Sequence, residues 1–312
     1  GKGQSVEAGA TRVALTPGGG SLVELSYDGD PADPGARVVG ARDLGRVDIV
    51  LPLLHGPYGE DGTIQGLLEM AEVRYVGCGV ASSAVSMDKH LTKVVLAGAG
   101  IDVGRWELIT PLQWEADQGA CLERAAALGF PVFVKPCRAG SSVGISKVES
   151  REGLAVAVKE AQNHDPRVIV EAGVVGREVE CGVLGGRSDW RSATAPLGEI
   201  EVPDGEFYDY EHKYVDDVVG LVCPAEVAPA YEERVRETAL RAFDALECEG
   251  LARVDFFLDE DSGTVLVNEV NTMPGFTPIS MFPQMWAAAG VDYPSLIDAL
   301  LEEAAARTVG LR

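Results

Sequence analysis

RVDFFLDEDSGTVLVNEVN, residues 253–271, consists of two apolar runs around an acidic turn. Successive side chains on a strand point to opposite faces. Arg253 and Asp255 therefore share one face of the first run, and Glu269 and Asn271 share one face of the second. Asp261-Ser262-Gly263 supplies the turn, so the stretch predicts an antiparallel hairpin. Pairing then sets an arginine, two carboxylates and an amide oxygen side by side in one cleft. Oxygen donors of this kind suit a hard cation such as Mg²⁺, which is normally held by a few carboxylates plus substrate phosphates. A solvated edge hairpin would alternate in the same way. Asn beside Glu is a poor choice for strand propensity alone, which favours the metal site.

Next along the chain, NTMPGFTPIS (271–280) is a turn-rich segment. There Gly275 permits close backbone approach to a ligand and Ser280 offers a hydroxyl. Upstream, FPVFVKP (130–136) reads as a strand, CRAGSSVG (137–144) as a loop and ISKV (145–148) as a strand. A lysine at a strand end before a Gly/Ser loop can surround phosphate oxygens with an ammonium and backbone N–H groups. The loop is neither a Walker A motif nor G-x-G-x-x-G, so it predicts a flap over phosphates. Strand VIVEAGV (168–174) ends at Glu171, and REVECGVLG (177–185) carries Glu178. Either carboxylate can accept from an adenine amine or a ribose hydroxyl, or lie solvated at the surface.

Towards the N-terminus, DIVLPLLHG (48–56) predicts one continuous buried strand ending at His55. The loop and helix of GEDGTIQGLLEMAEV (59–73) and the strand RYVGCG (74–79) complete a βαβ unit. Functional loops of such units lie at the carboxyl ends of strands, where His55 falls. Residues 84–98 predict one linking helix, and 150–162, 229–248 and 294–306 predict further helices. Residues 1–48 predict an edge hairpin around Gly18-Gly19-Gly20 and a loop at GDPADPGAR (29–37). Residues 204–222 lack periodicity and are long enough to form a lid.

The 312 residues predict two or three domains. A net charge of −23 argues against nucleic acid and anionic membrane surfaces as partners. Any polyphosphate ligand must then be met by a local cluster of cations. Cys78, Cys121, Cys137, Cys181, Cys223 and Cys248 form no C-x-x-C pair and no zinc-like spacing, which predicts reduced thiols. No transmembrane run and no secretory leader is visible.

Taken in order, HGPYGEDGTIQGLLE (55–69), VSMDKHLTK (85–93), PVFVKPCRAGSSVGISKV (131–148), EFYDYEHKY (206–214) and the hairpin with NTMPGFTPIS resemble the D-alanine–D-alanine ligase family of the ATP-grasp superfamily. The resemblance runs over roughly residues 48–306. It implies a mixed α/β and α+β ATP-grasp fold. The implied units are a small N-terminal α/β domain (1–79), a central domain (80–172) and a C-terminal domain (173–312) with its lid at 204–222. It implies that Lys89, Lys135 and Lys213 hold ATP phosphates, that Glu171 and Glu178 face adenine and ribose, and that Asp255, Glu269 and Asn271 bind two Mg²⁺ (or Mn²⁺) ions. Arg253 and the Gly275 N–H would stabilise the oxyanion. Ser280 would meet the carboxylate of the second alanine, and His55 would lie near the first. Ser141 and Tyr214 would form a hydrogen-bonded pair that closes the lid, while His212 carries no assigned role.

The implied activity is ATP-dependent ligation of two D-alanines for peptidoglycan synthesis by a cytoplasmic homodimer. The tyrosine-rich EFYDYEHKY favours D-alanine over D-lactate as second substrate. A D-alanine–D-lactate ligase, another ATP-grasp carboxylate–amine ligase and a non-catalytic nucleotide-binding module are the alternatives. The family opens with a strand and a Gly-rich loop bearing a glutamate, and GKGQSVEAGATRV (1–13) does not match that segment. A protein without it is expected to bind ATP and ligate poorly.

Overall fold

The structure, a computed structural model, describes residues 12–140, 143–185, 193–201 and 220–308. Strands β1 (Arg12–Leu15), β2 (Ser21–Tyr27) and β3 (Val38–Arg46) form an antiparallel sheet in that order. The hairpin around Gly18–Gly20 is present, and GDPADPGAR is the turn into a third strand that sequence reasoning did not foresee. Gly20 lies at φ +59°, where a Cβ would meet the Val73 side chain at 2.8 Å. Its N–H donates to the Ala71 carbonyl (3.0 Å), tying the hairpin to the unit that follows.

That unit is β4 (Ile49–Val50), α1 (Thr63–Met70) and β5 (Arg74–Tyr75), with the strands parallel as a βαβ connection requires. The strand expected over DIVLPLLHG pairs only at Ile49–Val50. Pro52 has no N–H for a ladder. Instead Leu53 and Leu54 donate back to Leu51 (3.0 Å) and Pro52 (2.8 Å), and the chain turns before His55.

The single helix expected over 84–98 is two helices, α2 (Val80–Met87) and α3 (Lys89–Gly98). Asp88 is extended between them (φ −92°, ψ 103°), and its Oδ1 accepts from the Leu91 N–H at 3.1 Å as the N-cap of α3. Its Oδ2 pairs with the Arg167 guanidinium. Asp88 is 2% exposed, so Asp88→Ala removes a cap and strands a half-buried arginine. The expected loss is about 3–5 kcal/mol, read as a lower urea midpoint.

A four-stranded antiparallel sheet follows, in the order β6 (Trp106–Ile109), β9 (Val168–Ala172), β7 (Val132–Pro136), β8 (Ser146–Val148). Helices α4 (Pro111–Ala116), α5 (Gln118–Ala126) and α6 (Arg151–Gln162) accompany it. Leu154, Ala157, Val158 and Ala161 recur at helical spacing along α6 and pack on Val132, Val134, Val168 and Val170. By period two, Phe133, Lys135 and Glu171 belong to the opposite face.

The larger sheet runs β13 (Gly220–Val222), β12 (Gly198–Glu201), β10 (Arg177–Leu184), β14 (Leu251–Asp259), β15 (Thr264–Asn271), with β11 (Ala193–Thr194) also on β10. Helix α7 (Pro229–Ala245) lays Val235, Ala239, Ala242 and Phe243 against Val179, Cys181, Val183, Val254 and Phe256. Leu96 of α3 joins this core, so the helix that starts at Lys89 is fixed to the larger sheet. The register of β14 and β15 slips between Asp255 and Phe256, leaving Asn268 as the extra residue of a bulge. The bulge explains how Val267 and Val270, of opposite parity, both face the core.

The turn-rich segment after residue 271 contains a short helix, α8 (Met281–Ala288), before α9 (Tyr293–Ala306). Pro283 is tolerated there because the first turn of a helix does not use its N–H groups.

Candidate active site

With one face of the larger sheet buried under α7, the other carries the polar side chains of β10, β14 and β15. Asp255 lies opposite Glu180 on one side and Glu269 on the other, while Arg253 lies opposite Gly182 and Asn271. Arg253 Nε and Nη2 donate to the two Asp255 oxygens, each at 2.7 Å, and Nη2 lies 3.1 Å from Glu180 Oε1. Burial works against the Arg253 charge, but Asp255 and Glu180 outweigh it and hold the guanidinium charged. Asn271 Nδ2 donates to Asp255 Oδ2 at 2.9 Å. The Asn271 amide oxygen is therefore turned away from Asp255.

Asp255, Glu269 and Asn271 thus form a set of hard oxygen donors on two adjacent strands, which fits a small divalent cation. Asp255 Oδ2 accepts from both Arg253 and Asn271, while Oδ1 accepts from Arg253. Among the described residues, no group of three or more His, Cys, Asp or Glu could hold an ion unaided. Such a set would leave the remaining positions of an ion to water and phosphate oxygens, as Mg²⁺ prefers.

Lysines converge on the same cleft. Lys89 opens α3 directly after its cap, and its N–H donates to the Cys137 carbonyl at 2.9 Å. Its Nζ donates to the Ala139 carbonyl at 2.7 Å, at the root of the Gly/Ser loop. Burial pulls the Lys89 ammonium below its ordinary pKa, against the attraction of Glu269. Lys135 Nζ lies 2.6 Å from Glu171 Oε2, and Lys93 Nζ lies 2.8 Å from Oε1. Burial pushes the Glu171 carboxyl up, yet Lys135 and Lys93 overcome it and hold it far below the usual carboxylate range. Burial likewise opposes the Lys135 charge, but Glu171, Glu269 and Glu178 raise its pKa. Glu269 acts on both Lys89 and Lys135, which links the hairpin to the lysines across the cleft.

The third wall comes from the loop after β4 and the segment after β15. His55 Nδ1 lies 2.9 Å from the Met273 carbonyl, so this nitrogen carries the hydrogen and Nε2 is left as the other ring atom for a ligand. Glu60 Oε2 accepts from the Gly56 N–H at 2.6 Å. Burial raises the Glu60 pKa against the pull of the Gly56 N–H and His55, and nearby Glu269 adds to the rise. At Gly275 a Cβ would sit 3.1 Å from Ser280 Oγ, so a larger residue would press on the Ser280 side chain. Ser280 Oγ accepts from the Thr277 N–H at 3.1 Å and shares a 2.8 Å hydrogen bond with Thr277 Oγ1.

Among the residues singled out in the sequence, Arg253, Asp255, Glu269 and Asn271 stand together on one face, and Lys89, Lys135 and Glu178 are in electrostatic reach of them or of one another. Ser141, His212, Lys213 and Tyr214 lie outside the described residues, as does most of the lid at 204–222. Sequence reasoning missed Lys93 and Glu180 and gave Glu60 no role. Two signals were available: Lys93 follows Lys89 at i+4 on one helix face, and Glu180 follows Glu178 at i+2 on one strand face.

Comparison with known proteins gives this arrangement a family. A family model described as D-ala D-ala ligase C-terminus matches residues 95–302, and one described as D-ala D-ala ligase N-terminus matches residues 12–78. The second extends the resemblance read over 48–306 back to β1. A D-alanine–D-alanine ligase of Kineococcus radiotolerans is 54% identical over 283 residues, 89% of this chain and 75% of that protein. One from Pseudarthrobacter chlorophenolicus is 56% identical over 274 residues, 87% of this chain and 72% of that protein. Among solved structures, the D-alanine–D-alanine ligase of Coxiella burnetii matches with a TM-score of 0.76 at 35% identity, covering 95% of this chain and 74% of its own. The VanG D-Ala:D-Ser ligase of Enterococcus faecalis matches with a TM-score of 0.76 at 36% identity, covering 91% of this chain and 80% of its own. Both halves of the chain, and its fold as a whole, place it in the D-alanine–D-alanine ligase family.

Proposed function

We propose that the chain joins two D-alanine molecules at the expense of ATP, in the synthesis of peptidoglycan precursors. The observation that carries this is the register of β14 and β15, which sets Asp255 against Glu269 and Arg253 against Asn271, facing Lys89 and Lys135. A carboxylate is a poor electrophile for an amine. Attack by the first alanine's carboxylate on the γ-phosphorus releases ADP and gives an acyl phosphate. Attack by the second alanine's amine on the acyl carbon then expels phosphate.

Lys89 and Lys135 hold the phosphates from the helix start and the strand end, with Lys213 as a third candidate in the lid. Glu171 and Glu178 face the adenosine. Asp255, Glu269 and Asn271 would hold Mg²⁺ or Mn²⁺, two ions by the family resemblance, which supply charge neutralisation for the moving phosphoryl group. Arg253 and the Gly275 N–H receive the oxyanion of the second step. His55 orients the first alanine and Ser280 the carboxylate of the second, while Ser141 and Tyr214 close the lid against water. The units 1–79, 80–172 and 173–312 supply the three walls. We place the reaction in the cytoplasm, where ATP is available; no helix among the described residues is long and apolar enough to cross a membrane. The exposed Leu67 and Met70 of α1, with Leu54 and Tyr58 before it, offer an apolar surface for a homodimer.

The VanG likeness means that the fold alone leaves the second substrate open. Phosphate release should be measured with ATP and D-alanine alone, then with D-lactate or D-serine added, at several pH values. D-alanine alone is expected to support turnover, with D-alanyl-D-alanine as product. A product containing D-lactate or D-serine in preference would select the alternative ligases. ATP binding without D-alanine-dependent release would select a nucleotide-binding module.

A further inference from the structure

Lys93 is 3% exposed, a rare position for a lysine unless its charge is paired. It lies one helical turn beyond Lys89, with its Nζ 2.8 Å from Glu171 Oε1, while Lys135 Nζ takes Glu171 Oε2 at 2.6 Å. One buried carboxylate is thus shared between two ammonium groups, and the trio carries one net positive charge. We propose that Lys93 is a positioning residue for the nucleotide: by sharing Glu171, it leaves Lys135 with positive charge in surplus to present to the polyphosphate. The inference rests on the assignment of Lys135 to the ATP phosphates.

Without Lys93, Glu171 and Lys135 would make a neutral pair. Glu178, Glu269 and Lys89 also lie in reach of Lys135, so the cradle as a whole would go from neutral to one net negative charge. The chain as a whole carries −23, and its field opposes a polyphosphate. The positive charge of the trio therefore offsets Glu178 and Glu269, and without it the pocket would repel an anion. An ammonium has three donors, and the bond to Glu171 uses one of those on Lys135, with two left for phosphate oxygens. Glu171 also fixes where Lys135 sits, because its other oxygen is anchored by a lysine on a helix packed into the core of the larger sheet.

The test is calorimetric titration of the full chain with adenosine, AMP, ADP and ATP, without D-alanine. Lys93→Met keeps the length of the side chain and removes the charge. It is expected to weaken ATP binding on the order of 10- to 100-fold. The loss should grow with the number of phosphates and leave adenosine within about twofold. Lys93→Arg should bind ATP within about tenfold of wild type, because it keeps the charge. The double variant Lys93→Met/Glu171→Gln restores the single net charge and should recover most of the loss. Its adenosine titration separates any contribution of Glu171 to the base.

ATP affinity unchanged in Lys93→Met would overturn the proposal. So would equal losses for ATP and adenosine, or a double variant weaker than Lys93→Met. If Lys93→Met does not fold, Lys93→Arg and the double variant still decide, since both keep the surplus and must bind ATP. A wild-type chain that binds no ATP contradicts the nucleotide assignment itself and removes the inference with it.

Discussion

Glu269→Ala is expected to lower D-alanine-dependent phosphate release on the order of 10³-fold or more while the fold is retained. Glu269 lies opposite Asp255 in the hairpin and interacts with Lys89 and Lys135 across the cleft. Its removal takes one carboxylate from a donor set that has only two, together with one amide. Metal assistance contributes several kcal/mol to such a transfer, and each 1.36 kcal/mol is about tenfold in rate. Stability should change little, within about 1 kcal/mol, because the half-buried side chain both attracts the lysines and repels Glu60. Rates from phosphate release and midpoints from urea denaturation check the two halves. A variant that turns over like wild type would remove Glu269 from the metal site.

Arg253→Ala is expected to fail in both respects. The guanidinium spans Asp255 and Glu180, both nearly buried, with two 2.7 Å bonds to the first and 3.1 Å to the second. Taking away the cation strands two buried carboxylates, which costs about 3–5 kcal/mol. On the proposed mechanism the same change removes an oxyanion donor, worth roughly 10²–10³ in kcat. Arg253→Lys should recover part of the stability and little of the rate, since an ammonium cannot reproduce the bidentate fork. Parallel denaturation and single-turnover measurements separate these effects. A rate loss without a stability loss would mean that the Asp255 contact is not what holds Arg253.

The hairpin was legible because strand periodicity is local: Arg253 and Asp255 share a face whatever else the chain does. The bulge at Asn268 was not, because it becomes necessary only when Val267 and Val270 must both reach one core. Helical periodicity runs unbroken from residue 84 to 98, yet the helix stops at Asp88. Asp88 caps the second helix locally, but the Arg167 that pairs with it arrives from a segment 79 residues away. DIVLPLLHG has the composition of a buried strand, but a strand needs a partner, and Pro52 denies it one beyond Val50. Lys89 and Lys135 were visible as motif positions. The burial of Lys93 was not legible, because it depends on β9 bringing Glu171 over α3. In each case the missing information was a tertiary partner.

The most direct test of the account is anomalous diffraction from crystals grown with Mn²⁺ and a non-hydrolysable ATP analogue. The expected result is manganese bound to side-chain oxygens of Asp255, Glu269 and Asn271, next to the phosphates held by Lys89 and Lys135. A nucleotide bound with its metal elsewhere, and those three side chains uncoordinated, would contradict it.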